Sequence, residues 1–193
     1  MNSPSFFAAA IPEPFTVLGL RLKPFSAGHL VLLHRIESAF VVGGIPALSD
    51  LVASVFICSL NFRDGIESLG SDEVDALMGK WQRDVGEFDF VEKCRLFARY
   101  IEEGSAEPAW FAPQGGGSIA VPKVQVVKVR LLSEFHMSED EFLDRPWSLS
   151  LWDYYTLYAL EGAIKLTEPG SIEEAQNVAQ ALAEKLNRKP CLN

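Results

Sequence analysis

Apolar residues recur at helical spacing along much of this chain, and this periodicity constrains its fold more than any other feature. In the clearest stretch, Phe90, Cys94, Phe97 and Ile101 follow one another at intervals of four, three and four residues. These intervals place the four side chains on one face of an α-helix, because a helix turns once every 3.6 residues. The stretch predicts an amphipathic helix that ends at Gly104.

Short capping motifs mark where further helices begin. Ser138–Glu141 and Ser171–Glu174 both read as capping boxes, in which a serine and a glutamate three residues later satisfy free backbone N–H groups. Ser26 occupies the N-cap position of another helix. Strands and helices do not alternate, and no repeat period is present. We therefore predict an all-α protein with seven or eight helices in an irregular bundle.

Proline and glycine divide the chain into segments. Residues 1–25 contain four prolines, which predicts an extended arm with room for a short strand or hairpin. Residues 105–121 contain two prolines and Gly115–Gly117, a composition typical of a linker without regular structure. The predicted organisation is an N-terminal helical lobe (26–104), this linker and a C-terminal helical lobe (122–193), with a single overall domain as the alternative.

The segment after Pro122 is ambiguous between helix and strand. Val124–Val129 is rich in β-branched residues, which favour strands. Pro122 suits the first turn of a helix, and apolar residues continue to Phe135, beyond the usual length of a strand. We favour a helix from Lys123 to Phe135.

Composition excludes several classes of function. Seventeen basic and 26 acidic residues give a net charge of −9, which argues against binding to nucleic acid or to anionic membranes. Three widely spaced cysteines predict neither a disulfide scaffold nor a zinc site. No signal peptide or membrane span is expected, which predicts a cytoplasmic protein. The mean hydropathy of +0.11 suggests a surface for a protein partner.

Candidates for catalysis or metal binding are sparse. His29 and His34 are five residues apart and so do not share a helical face, as a pair of metal ligands would. His136 stands close to acidic residues, but these are already explained as charges at a helix N-terminus. Gly115–Gly117 lacks the residues of a phosphate-binding loop. We expect no enzyme activity, no catalytic residues, no metal and no cofactor.

The most distinctive segment is aromatic. On a helix, Trp152 and Tyr155 lie on one stripe and Tyr158 lies beside it, giving an apolar arc wider than one packing contact needs. Burial in the core is the common explanation. Trp and Tyr are also enriched in binding hot spots, so Trp147, Trp152, Tyr155 and Tyr158 are candidates for binding a partner.

Two stretches carry a family resemblance. Leu18–Phe40, which begins LGLRLKPFSAGHL, and Arg145–Gly162, which begins RPWSLSLWDY, resemble the opening and closing parts of small tailed-phage and prophage proteins. The resemblance implies a tail assembly chaperone that holds the long tape measure protein soluble during virion assembly. The alternatives are a virion structural subunit, in the tail or the head–tail connector, and a small helical enzyme with His136 as base. Homo-oligomerisation is left open.

Overall fold

The computed structural model describes residues 9–69, 72–84, 87–108, 111–113, 122–161 and 164–166. Over these residues the chain forms nine helices and two small antiparallel sheets, which confirms the predicted all-α class. The helices are α1 (Ala27–Arg35), α2 (Ala39–Val42), α3 (Leu48–Ser59), α4 (Phe62–Ser68), α5 (Asp72–Asp84), α6 (Glu87–Gly104), α7 (Lys123–Phe135), α8 (Glu139–Asp144) and α9 (Trp147–Leu160). The helix predicted from Ser171 onward lies outside the described residues.

The N-terminal arm contains the short hairpin that its sequence allowed. Strand β1 (Thr16–Val17) pairs antiparallel with β2 (Leu20–Arg21), with Thr16 opposite Arg21. The two turn residues, Leu18 and Gly19, have φ angles of 53° and 76°. Positive φ at both positions matches the right-handed twist of the strands, so this tight turn reverses the chain.

Helix α3 is nearly wholly apolar, and a helix of that kind needs cover on every side, which places it centrally in the core. Its buried residues lie on several faces: Leu51, Val52, Ser54, Val55, Phe56, Ile57 and Cys58. Helix α1 packs against α3, α4 and α8. Helix α1 comes very close to α4 and α8 at Gly28. A Cβ atom there would lie 2.7 Å from a ring carbon of Phe62 in α4 and 2.7 Å from the carbonyl oxygen of Leu143 in α8.

Both serine caps within the described residues are formed. The Ser26 side chain accepts a hydrogen bond from the His29 backbone N–H, and the His29 side chain accepts one from the Ser26 N–H. The Ser138–Glu141 pair forms the same reciprocal arrangement at the start of α8. The N-cap predicted at Ser26 and the capping box predicted at Ser138–Glu141 are therefore confirmed, whereas the capping box at Ser171–Glu174 lies outside the described residues.

Three local features differ from the sequence prediction. Helix α4 was not predicted, and α2 (Ala39–Val42) overlaps residues 40–46, whose two glycines and one proline predict a turn-rich linker. In α2 the Asp50 carboxylate accepts a hydrogen bond from the Ala39 N–H at 3.0 Å, so a residue of α3 caps this short helix. Cys94 lies on the apolar face predicted for α6 but is only half-buried, whereas Cys58 is buried.

The chain divides into two compact units, and their boundaries differ from those of the predicted lobes. The first unit comprises Met1–Pro108 and Ile119–Tyr154, and the second comprises Ala109–Ser118 and Tyr155–Asn193. The region 122–154 belongs to the first unit, where α8 packs against α1 and α4. The Trp147 N–H also donates to the Phe25 carbonyl at 2.8 Å.

Within the second unit the described strands are β3 (Phe111–Pro113) and β4 (Ile164–Leu166), paired antiparallel with Phe111 opposite Leu166. Strand β3 lies inside the 105–121 segment predicted to lack regular structure. A three-residue strand leaves no periodic pattern to detect, and its pairing depends on a partner more than 50 residues away.

Candidate functional site

The four candidate aromatic residues do not share one environment. Trp147 and Trp152, on α9 in the first unit, are buried with exposed fractions of 4% and 5%. Tyr155 and Tyr158 lie further along the same helix, in the second unit, and are half-buried. The tryptophans therefore contribute to the core in this structure. A partner-binding role for the two tyrosines stays a prediction.

His136 stands at the end of α7 with a φ of 52°, in the left-handed region. The three carboxylates closest to it in sequence have other partners. Glu134 lies 3.5 Å from Arg130, Glu139 binds Lys128 at 2.8 Å, and Asp140 forms an ion pair with Arg63. None of these three carboxylates is therefore placed to orient His136 as a general base.

His29 serves as a structural tie between α1 and the end of α3. Its Nδ1 accepts the hydrogen bond from Ser26, and its Nε2 lies 2.9 Å from the Leu60 carbonyl oxygen. Because Nδ1 is the acceptor, Nε2 carries the proton and donates to Leu60. Both ring nitrogens are thereby used within the fold, and the neutral imidazole is the form that fits.

The burial of His29 predicts a pH-dependent loss of stability. Burial lowers the pKa of His29 from its usual 6.5; the Leu60 carbonyl and the nearby Asp144 carboxylate oppose this shift, and Lys23 adds to it. The unfolded chain therefore takes up a proton at a pH where the folded chain does not. The free energy of unfolding should fall as the pH drops below about 6.5.

Urea titrations at several pH values between neutrality and mild acid would measure this dependence. His29→Gln removes the titrating group, and glutamine suits the third helical position of a capping box. The free energy of unfolding of this variant should therefore depend less on pH. The pH dependence should persist in His34→Gln, since His34 is exposed. An unchanged pH dependence of the free energy of unfolding in His29→Gln would show that His29 is not its source.

The first unit contains a pocket of about 510 Å³ beside the N-terminal arm. It is bordered by the arm, by the segment joining β2 to α1, by the last turn of α6 and by the start of α9. Its lining includes Ala9, Pro12, Glu13, Phe15, Lys23, Pro24, Phe25, Arg99, Tyr100, Glu102, Glu103, Gly104, Ala106, Pro146 and Ser148. The volume is within the range of small-ligand pockets and of pockets that receive a partner's side chain.

Three aromatic residues, Phe15, Phe25 and Tyr100, are among those that line this pocket. Phe25 and Tyr100 are 2% and 3% exposed, and their ring centroids lie 5.6 Å apart at an interplanar angle of 89°. Phe15 contacts Tyr100 edge-on at 5.5 Å. At Gly104, α6 comes so close to Phe25 that a side chain there would collide with the Phe25 Cβ. Glycine at this position therefore allows the helix end to close one side of the pocket.

The Tyr100 hydroxyl in the pocket lining is held in place by the fold. It donates to the Lys23 carbonyl at 2.9 Å and lies beside the Cys58 thiol. Burial raises the pKa of both the Tyr100 hydroxyl and the Cys58 thiol. Both groups are therefore protonated at neutral pH.

The pocket rim is charged. Arg99 binds Glu103 at 2.6 Å and lies 5.6 Å from the centroid of the Phe15 ring. Glu13, Glu102 and Lys23 are exposed around the opening. The three acidic and two basic side chains leave a net negative charge, and the carboxyl end of α6 adds partial negative charge to it.

Sequence reasoning did not identify this pocket. Its parts come from four separate stretches of the chain, and their residue types are ordinary when each stretch is considered alone. The local sequence signal in these stretches is the spacing of Arg99 and Glu103, which are four residues apart and so predict an ion pair on a helix. That spacing does not indicate a cavity beside the pair.

Comparisons with protein-family models, with curated proteins and with solved structures find no match to this chain. Among the residues that the structure describes, no group of three or more His, Cys, Asp or Glu side chains is arranged to hold a metal ion. Within that same part of the chain, none of the helices combines the length and apolar character needed to span a membrane.

Proposed function

We propose that this chain is a non-enzymatic, tail-assembly-chaperone-like protein that binds a helical segment of a larger phage tail protein, of the tape measure class, during virion assembly. The observation that carries the proposal is the pocket beside the arm. Its lining draws on both stretches that carry the family resemblance, with Lys23, Pro24 and Phe25 from the first and Pro146 and Ser148 from the second.

Backbone contacts join these two stretches next to the pocket. Ser26 forms an isolated antiparallel bridge with Pro146, and the Trp147 N–H donates to the Phe25 carbonyl. The two stretches are more than 100 residues apart in sequence, yet they build one surface. This juxtaposition supports a shared role for them in binding.

The charge of the chain also supports the proposal. A chaperone for a long amphipathic helix needs an apolar site for the client and a charged exterior that keeps the complex soluble. The net charge of −9 supplies the second requirement, and the aromatic residues that line the pocket supply the first.

Co-expression tests this function. The partner is the long helical tail protein encoded near the gene for this chain, and the measured quantity is its soluble fraction with and without the chain. We expect the chain to raise that fraction severalfold, whereas an unrelated acidic helical protein of similar size should not. The absence of tail genes from the neighbourhood, or an unchanged soluble fraction, would contradict the proposal.

Two other outcomes would favour the alternatives. Rings or particle-joining assemblies formed by the purified chain alone would indicate a virion structural subunit. Turnover of a substrate that is lost in His136→Ala would indicate an enzyme.

A further inference from the structure

We propose that the pocket beside the arm receives a bulky apolar side chain from a basic partner helix, whose Lys or Arg residues bind Glu13 and Glu102 at the rim. This inference rests on the proposed function and adds to it the place of binding and the chemistry of the bound segment.

The size of the pocket determines how a helix can use it. With side chains, an α-helix is about 10–12 Å across, which is too wide for a pocket of about 510 Å³ to enclose. One or two large side chains fit instead. Such a side chain would contact the half-buried Phe15 ring and the apolar atoms of Pro12, Pro24 and Ala106, with the buried Phe25 and Tyr100 rings behind them. This is a favourable setting for an aliphatic or aromatic group.

The arm extends the apolar surface beyond the pocket. It is tied down at Ala9, whose carbonyl accepts a hydrogen bond from the buried Ser148 hydroxyl at 3.4 Å, and at Phe15, whose carbonyl accepts from the Leu22 N–H at 2.9 Å. Between these ties lies Ile11, which is 79% exposed and adjacent to Pro12 in the pocket lining. A helix seated on the pocket could cover Ile11 as well.

Charge selects a basic partner. Arg99 is paired with Glu103 and also lies in the field of Glu13. With Glu102 and Lys23, the rim has three acidic and two basic side chains, a net charge of −1. The carboxyl end of α6 reinforces this negative field. The whole chain carries a charge of −9, which would speed the approach of a cationic segment and repel an anionic one.

A designed peptide tests the inference with a defined probe. The probe is a blocked, fluorescently labelled helix of about 18 residues, long enough to be partly helical in water. It carries Phe and Leu on one face and Lys on the others. Binding to the full chain is followed by fluorescence anisotropy at low and high salt. We expect saturable binding that weakens with salt, since added ions screen exposed charges.

Two variants and their matched controls locate the binding site. Ala106→Phe places a ring in the pocket and should weaken binding about tenfold or more, equivalent to about 1.4 kcal/mol or more. Ala98→Phe adds the same ring on an exposed part of α6 outside the pocket lining and should bind as the wild type does. Circular dichroism verifies that both variants are folded.

The charge test has its own control. The double variant Glu13→Gln/Glu102→Gln should weaken binding severalfold and flatten the salt dependence. The control Glu67→Gln/Glu92→Gln removes two exposed acidic side chains outside the pocket rim. It should change the affinity for the peptide and the salt dependence of binding less than the rim variant does.

The outcomes separate this inference from the proposed function. Unchanged binding by Ala106→Phe, or equal binding of a probe with Glu in place of Lys, would overturn the inference. So would a wild-type dimer that Ala106→Phe converts to a monomer, because a second copy would then occupy the pocket. If Ala106→Phe still keeps the tail protein soluble in co-expression, the proposed function is supported but does not depend on this pocket. Probe binding without any co-expression rescue would leave the site standing and remove the function.

Discussion

Replacing Trp152 with alanine is expected to lower the free energy of unfolding by about 3–5 kcal/mol, the usual cost of truncating a large buried aromatic side chain. Trp152 is 5% exposed and sits on α9 beside Leu151 at 1% and one turn after Ser148. Its removal would leave a cavity that the surrounding core residues fill only partly. Urea unfolding of the variant and the wild type measures the difference.

Tyr158→Ala is the comparison for this experiment. Tyr158 lies on the same helix but is half-buried, so its truncation should cost clearly less stability. If Trp152→Ala kept nearly wild-type stability and specifically lost partner binding, Trp152 would be a binding residue, and its placement in the core would be contradicted.

Phe97→Ala is expected to lower the free energy of unfolding by a similar amount, about 3–5 kcal/mol. Phe97 is fully buried on α6. Its ring meets Phe40 edge-on with centroids 4.9 Å apart, and it lies 5.6 Å from Tyr100. The substitution removes both ring contacts together with the buried area. It also removes support for Tyr100 in the pocket lining.

Phe90→Ala provides the matched control. Phe90 belongs to the same sequence pattern on α6 as Phe97, but it is half-buried, so we expect a smaller loss in urea unfolding. Equal losses for the two variants would contradict the burial difference between them.

Local chemistry explains what the sequence predicted well. Ser26 and Ser138–Glu141 are capping signals that act within four residues, so they predict helix starts without any tertiary information. The apolar pattern of α3 likewise predicted a helix covered on several sides. The segment Lys123–Phe135 forms a helix despite its β-branched valines.

Tertiary contacts explain what the sequence did not predict. Helix α4 has Gly65 at its centre, which is unfavourable for a helix. The helix is held by contacts from distant residues: the Asp144 carboxylate accepts from the Phe62 N–H at 2.7 Å, and Leu32 packs where a Cβ of Gly65 would lie. The seven residues of α4 do not by themselves indicate these contacts with distant parts of the chain.

The candidate site follows the same rule. An aromatic stripe along one helix is visible in sequence, and Trp147, Trp152, Tyr155 and Tyr158 are therefore predicted to bind a partner. Exposure is a property of the packed structure, which buries both tryptophans. The pocket arises where Phe15, Phe25 and Tyr100 meet, and that meeting requires the β1–β2 hairpin, the segment joining β2 to α1, and α6 to be in place.

Size-exclusion chromatography with light scattering on the co-expressed pair measures whether this chain holds a long helical tail protein in solution. We expect one complex that contains both proteins and is stable through the column, with the tail protein aggregating when this chain is left out. A tail protein that stays soluble alone and elutes separately from this chain would contradict the proposed chaperone function.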